Sequence, residues 1–375
     1  MTGRGGLRIV HTVFPRVAPF ASVRELGKLH PHLAHLLVAL RKHAAHTAWV
    51  APSDRDVSED DEGISIRLVG APRNSRRVRA LWPWVRAIVA ERPDVVHVHG
   101  LNSPWALLAI SAAADRVGAR VIVEDHGSAA PRSELRRRAW RSALARAKAV
   151  IFGDRSRGGE WIASGVLRAE QLRTLFTGSS AFTVGSVEDR ERSRAATAIR
   201  GAPAIGFVGH LDFNKDPITA LAGFARFAVG RREARLFLRY GRNDLLEPCR
   251  TLVNKTASLS ERVHFLGSAP HAEMESFFRA VDVLISTSHR EAYGYVAAEA
   301  LSSGAALALS DLPSHRLLAG PNATYFRPAD PEAAAAALEG LVHHLASEDR
   351  ERRGRWFGEH RSYARVAEQL LGIYG

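Results

Sequence analysis

The chain has one cysteine, Cys249, in 375 residues. A lone thiol excludes an internal disulfide framework and a cysteine-rich zinc cluster, and it suits a reducing compartment. Long apolar runs are missing too. A membrane-spanning helix needs about 18 or more consecutive apolar residues, and none occurs. The opening MTGRGGLRIVHTVFP lacks the apolar core and cleavage site of a secretory leader. The chain is therefore expected to be cytoplasmic, at most peripheral on the inner face of the membrane. Lysine is scarce: 5 of the 52 basic side chains are Lys and 47 are Arg, so each lysine stands out.

Acidic residues are outnumbered, 39 against 52, leaving a formal charge of +13. Residues 1–182 carry 28 basic against 16 acidic side chains, net +12, whereas residues 183–375 carry 24 against 23, net +1. That asymmetry predicts two units with different surface partners. A composition 46% hydrophobic and 24% charged is globular and excludes disorder as the main state. No DNA or RNA module is recognisable, so nucleic acid is not expected as a partner.

Short apolar runs recur with helical stretches between them. LRIVHTV (7–13), TAWVAP (47–52), ISIRLV (64–69), DVVHVHG (94–100), ARVIVEDHG (119–127) and AVIFGD (149–154) form one series. AIGFVGH (204–210), ARLFLRYG (234–241), RVHFLG (262–267), DVLISTS (282–288) and AALALSD (305–311) form another. Alternation of this kind predicts an α/β protein of two doubly wound, Rossmann-like parallel-sheet domains facing an inter-domain cleft. The expected boundaries are 1–185, a polar linker at 186–202, a second domain at 203–355, and a C-terminal helix at 356–375 crossing back to the first domain. Ligands of such sheets bind at the carboxyl ends of the strands.

Two stretches of the second half carry specific chemistry. In GHLDFNKDPITALAGFARFAV, Asp216 suits an N-cap, Pro217 the first helical position, and Leu221, Phe224, Ala225 and Ala228 a buried stripe. Lys215 then sits at a helix N-terminus, where ammonium and dipole both favour phosphate. Gly209 and His210 precede it and are donor-binding candidates with it, as is Gly241 at the end of the next apolar run. In DVLISTSHREAYGYVAAEALSSG, Glu291 lies in a loop and Glu299 in an otherwise apolar helix, where a carboxylate needs a hydroxyl or cationic partner. Tyr293, Gly294, Tyr295 and Val296 span the helix start, whose backbone amides can hold a sugar or phosphate oxygen.

These residues resemble the retaining glycosyltransferases of family 4, which have the GT-B fold. The family pattern E-x-F-G-x-x-x-x-E-A is matched by Glu291-Ala-Tyr-Gly-Tyr-Val-Ala-Ala-Glu299-Ala, and its G-R-L-x-x-x-K by Gly209-His-Leu to Lys215. PDVVHVHG and IVEDHG fit its N-terminal domain. The resemblance implies transfer of a sugar from a nucleotide-diphosphate sugar to a glycan, lipid or small-molecule acceptor, with retention and with neither metal nor other cofactor. It implies that the first domain binds acceptor and the second binds donor. Glu299 would hold the ribose hydroxyls, Glu291 and His126 the donor sugar, and Lys215 the phosphates.

Three positions depart from the family. His210 replaces an arginine, and at the reference imidazole pKa of about 6.5 it would be only partly charged near neutrality. Gly27-Lys28 replaces a Gly-Gly, and Thr177-Gly178-Ser179-Ser180 replaces N-G-V-D. Gly27 and His99 are the acceptor-side candidates, with one of His97 and His99 expected in the core. A rival is a non-catalytic sugar-nucleotide-binding subunit on the same fold. Asp54-Arg55-Asp56 is a literal D-x-D, read as part of a solvated acidic loop (54–62) rather than as a metal site. PRNSRRVRALWPWVRAIVAER (72–92) and RSELRRRAWRSALARAK (132–148) mix arginine with tryptophan, which fits either an ordinary amphipathic helix packed on its own sheet or contact of the basic N-terminal domain with an anionic membrane surface. In the second stretch, Leu135, Ala139, Trp140, Ala143, Leu144 and Ala147 are expected to form one apolar stripe.

Overall fold

A computed structural model describes residues 6–14, 22–53, 55–70, 81–256 and 258–375. It divides into two compact units, Met1–Thr177 with Tyr363–Gly375, and Gly178–Ser362.

The first unit is built on β1 (Arg8–Val13), β2 (His46–Ser53), β3 (Val57–Asp61), β4 (Ile64–Gly70), β5 (Val95–His99), β6 (Arg120–Glu124), β7 (Ala147–Phe152) and β8 (Leu172–Thr174). Their order is β3-β4-β2-β1-β5-β6-β7-β8, all parallel except the antiparallel pair β3 and β4. Both faces are buried, which is why these strands read as near-continuous apolar runs. Val10, Val96, Val98 and Val121 pack one side and Ile9, Val95, Ile122 and Ile151 the other. The helix Tyr363–Tyr374 belongs to this unit, where Val366, Leu370 and Tyr374 join Leu33, Leu36 and Leu37 in the second core. The acidic stretch expected as a loop is in part a strand: 57–61 pairs with β4, and Asp56 Oδ1 accepts the Gly70 amide at 2.7 Å. Asp54 and residues 71–80, and with them four of the six arginines of the first basic stretch, lie outside the described residues.

The second unit holds β9 (Ala204–Val208), β10 (Arg235–Arg239), β11 (Val263–Gly267), β12 (Val283–Ser286), β13 (Ala306–Ser310) and β14 (Ala323–Phe326), in the order β11-β10-β9-β12-β13-β14, all parallel. The chain order reverses between β9 and β12, which pair over two residues only, making this the switch point at whose carboxyl edge open α/β sheets bind ligands. The segment expected as linker holds the helix Val187–Thr197 instead, capped by Ser186. Its Arg190 and Arg194 both bind Asp282 ahead of β12, Arg194 at 2.9 Å, and Asp282 also accepts the Ala204 amide at 2.8 Å. These ion pairs tie a polar helix into the second unit without an apolar stripe of its own.

Candidate functional site

At the switch point of the second unit, two loops are stitched together by hydrogen bonds to backbone carbonyls. The His289 amide donates to Asn214 O at 2.8 Å, and Thr287 Oγ1 donates to Lys215 O at 2.9 Å and Asp216 O at 2.8 Å. Asp212 Oδ1 accepts the Lys215 amide at 2.9 Å. Asp216 takes a left-handed conformation (φ 47°) and caps the helix Pro217–Phe227 by accepting from Thr219 N at 3.1 Å. Leu221, Phe224 and Ala228 are buried as expected, with Ala225 half-buried. These constraints place Lys215 Nζ against Glu291 Oε1 in a hydrogen-bonded ion pair, and Ser288 Oγ donates to the same carboxylate oxygen at 2.8 Å. Both members are about a fifth exposed or less, so the pair is open to a ligand but partly shielded from water. Gly209 makes room: a Cβ there would meet Lys215 Cγ at 3.2 Å.

Glu299 is 5% exposed, and the partner its apolar helix demanded is His271, whose Nε2 lies 2.7 Å from Oε1. The hydrogen bond to Glu299 raises the His271 pKa above 6.5 against the opposing effect of burial. Gly294 (φ 65°) starts the helix Tyr295–Ser302 without a side-chain cap, next to buried Tyr293 and half-buried Tyr295 and Val296. A Cβ on Gly294 would meet His315 Cδ2 at 3.3 Å, so the positive φ and the close approach both call for glycine. His315 is buried, its Nδ1 lies 2.8 Å from Ser310 O, and burial lowers its pKa. His210 is exposed, and its Nδ1 accepts the Arg242 amide at 3.2 Å, leaving Nε2–H as the ring's donor. Gly241, also exposed, lies against that ring. Ser288, His271 and His315 were not singled out from sequence. Only the partner required by Glu299 signalled one of them.

The first unit has its own polar cluster at the carboxyl ends of β1, β5 and β6. Strand register sets His11 beside His97 and His99 beside Glu124. His97 is in the core as expected, at 0% exposure, and His99, the acceptor-side candidate, is buried as well at 8%. His11 Nδ1 lies 2.9 Å from His99 Nε2, His99 Nδ1 lies 3.2 Å from His126 Nε2, and His97 Nδ1 lies 2.6 Å from the Tyr374 hydroxyl. Glu124 gathers them: His97 Nε2 at 3.2 Å, His99 Nδ1 at 3.4 Å, His126 Nε2 at 3.8 Å, and the Thr177 hydroxyl. Burial alone would raise the Glu124 pKa, but His126 and the hydrogen bonds from His97 and His99 hold it well below the usual carboxylate range. Burial, then His97, depresses the pKa of both His11 and His99. His126 is the partly open end of this chain, one third exposed. Donor atoms of His99, Glu124 and His126 lie within 4.8 Å of one another and could ligate a cation, though they already bind each other.

The acceptor-side candidate Gly27 lies within the helix Val23–Leu29, lining a cavity of about 270 Å³ with Trp49 and Glu62. In the helix Glu134–Leu144, Trp140, Ala143 and Leu144 are buried as expected, but Leu135 is 81% exposed. Among the described residues no helix is long and apolar enough to cross a membrane.

Comparison with known proteins gives a consistent answer for both units. The model of Glycosyltransferase Family 4 matches residues 30–170, and that of Glycosyl transferases group 1 matches residues 202–344. A 2-deoxystreptamine N-acetyl-D-glucosaminyltransferase of Streptomyces fradiae is 29% identical over 282 residues, 66% of this chain and 65% of that protein. A phosphatidyl-myo-inositol mannosyltransferase of Mycobacterium tuberculosis is 25% identical over 362 residues, 93% of this chain and 90% of that one. Among solved structures, Anabaena HepE in complex with UDP and glucose superposes with a TM-score of 0.71 at 17% identity, covering 98% of each chain. A glycosyltransferase from Rickettsia africae gives 0.75 at 13% identity, again over 98% of each. These structural likenesses establish the fold.

Proposed function

The chain belongs to the family 4 glycosyltransferases of GT-B fold, and from that premise we propose that it transfers a hexosyl group from a nucleoside-diphosphate sugar to an acceptor hydroxyl, with retention at the anomeric carbon and without a metal. The observation that carries this reading is the Lys215–Glu291 pair at the β9/β12 switch point, beside two helix starts. The leaving nucleoside diphosphate gains negative charge as the glycosidic bond breaks, and that charge must meet fixed cations and amides. Lys215 supplies the cation, and the helix starts at Asp216 and Gly294 supply the dipoles. Glu291 would take the donor sugar's hydroxyls, releasing Lys215 to phosphate, and Glu299 would take the ribose. His126 would face the sugar. The acceptor oxygen bonds to the anomeric carbon as the diphosphate departs, and its proton passes to a departing phosphate oxygen, so no protein base is assigned.

The test is a thermal-shift screen of nucleotide sugars with EDTA present, followed by turnover and NMR of the product anomer. Stabilisation by one donor, EDTA-insensitive release of its nucleotide only with acceptor, and a retained anomer support the proposal. EDTA-sensitive turnover would move the chemistry to the His99, Glu124 and His126 donor set. Binding without turnover, unchanged by Glu291→Gln, would favour a non-catalytic sugar-nucleotide-binding subunit, a reading that exposed His210 keeps in play.

A further inference from the structure

The second basic stretch is not used by the donor chemistry, yet the fold folds it around a cavity. At the carboxyl ends of β5 and β6 in the first unit lies a pocket of about 960 Å³, large enough for a drug-sized ligand. Its apolar walls include Leu101, Trp105, Leu135 and Trp140; among the described residues its charged walls are Arg132 and Arg136, and none of them is acidic. Trp105 is 55% exposed and Leu135 81%, unusual for side chains of this size. The helices Pro104–Arg116 and Glu134–Leu144, 13 and 11 residues long, both begin at this pocket, so two dipoles add positive potential.

Arginine pairing separates this pocket from the background of an arginine-rich chain. Arg137 and Arg138 pair with Glu134, Arg141 donates to Gly165 O at 2.8 Å, Arg146 pairs with Asp115 at 2.8 Å, and Lys148 donates to Gly375 O at 3.0 Å. Among the described residues, Arg132 and Arg136 alone in this stretch have no such partner; Arg132 lies just before the N-cap Ser133 and Arg136 in the first turn of the helix, both lining the cavity. The floor is fixed in advance. Asp125 accepts the Ser128 amide at 2.8 Å, Arg157 bridges Asp125 and Ser128 O at 2.9 and 3.0 Å, and Arg137 holds Pro131 O at 3.2 Å. Bidentate guanidinium groups recognise phosphate, and flat indole and leucine surfaces recognise an apolar body.

We infer that this pocket binds an amphiphilic acceptor bearing a phosphate group, with Arg132 and Arg136 on the phosphate and Trp105 and Leu135 on the apolar part; its role as acceptor rests on the transferase reading above. A cationic acceptor is disfavoured by the same two arginines. The phosphate could sit on a membrane lipid or on a soluble ester, and the two sources separate experimentally.

Titration with decyl phosphate below its micellar concentration, followed by tryptophan fluorescence, tests the pocket itself. The expected results are saturable quenching that Trp105→Phe removes, an affinity loss of tenfold or more in the Arg132→Ala/Arg136→Ala variant, and much weaker binding of decyl maltoside and decyltrimethylammonium. Equal binding of all three amphiphiles, or an unchanged double variant, would overturn the inference. The nucleotide-sugar thermal shift of each variant reports folding and donor binding separately, so a protein that binds decyl phosphate but no donor defeats the transferase reading and leaves the pocket standing. Flotation with phosphatidylglycerol vesicles at low salt, lost in the double variant, assigns the phosphate to a lipid. Decyl phosphate binding without flotation assigns it to a soluble ester.

Discussion

Acidification should unfold the first unit before the second, because two of its buried imidazoles must stay neutral. His11 is fully buried, faces His97, His99, Glu124 and the Tyr374 ring, and hydrogen-bonds to His99. Burial and neighbouring imidazoles hold the pKa of His11 well below 6.5 and lower that of His99. The sign follows from proton counting: below pH 6.5 the unfolded chain gains protons that the folded chain refuses, so stability falls as pH falls. Between pH 6.5 and 5.5 an imidazole that stays neutral throughout costs about 1 kcal/mol, which His11 supplies, with His99 adding in the same direction. In a domain of this size the His11 contribution alone lowers the melting temperature by roughly 2 to 4 °C. Glu124 does not enter this window. Its depressed pKa gives stability that is present above 4.5 and is lost only as pH falls through the folded value. The second unit should respond oppositely and weakly: the raised His271 pKa gives stability that is full below 6.5 and is lost as pH rises through the folded value, reduced by screening at a side chain 38% exposed. Calorimetry from pH 7.5 to 5.5 is the assay, with His11→Gln expected to make the pH dependence of the first transition distinctly shallower. A first transition that is flat over this range, or equally steep in His11→Gln, would refute the reasoning.

Lys215→Ala should lower kcat/KM by about 10²-fold or more, roughly 3 kcal/mol of transition-state stabilisation, with the fold intact by circular dichroism. Arg350 is buried and donates to Val281 O, Arg279 O and Ser303 O at 2.9 to 3.0 Å, with burial pushing its pKa down to about 9. Arg350→Met strands these carbonyls, and chemical denaturation should show the second unit destabilised by about 3 kcal/mol. Burial pushes the Cys249 thiol up to about 11, so Ellman's reagent should leave the native protein unmodified and react as the second unit unfolds.

The eleven apolar runs all became strands, since a parallel sheet covered on both faces leaves an unmistakable apolar signature. What escaped was at the edges: β3 (VSEDD), β8 (LRT) and β14 (ATYF) are acidic or short and gain their strand character from one neighbour. The helix Val187–Thr197 escaped for a different reason. Its period carries almost no apolar stripe, and the residue that holds it, Asp282, is 88 positions from Arg194 in the chain. Site residues followed the same rule. Lys215, Glu291 and Glu299 were legible because local turns and helix starts place them. The His11, His97, His99 and Glu124 cluster was not, because it exists only once β1, β5 and β6 are in register.

Charge shows how far composition can be trusted. The +12 of residues 1–182 suggested a basic surface, but much of it is internal bookkeeping: Arg8 donates to Glu91 O and Arg92 O, Arg157 is committed to Asp125, and Arg67 and His46 share buried Glu91. A paired arginine has its field cancelled at short range and its donors occupied, so it adds to net charge without adding a binding site. A ligand responds instead to cations that the fold leaves unpaired and sets against apolar surface. Within the described part of 132–148 those are Arg132 and Arg136, at the mouth of a pocket walled by Trp105 and Leu135. Neutralising two exposed, paired residues such as Arg146 and Asp115 together should therefore leave decyl phosphate binding unchanged, whereas Arg132→Ala/Arg136→Ala, a charge change of only two, should weaken it tenfold or more.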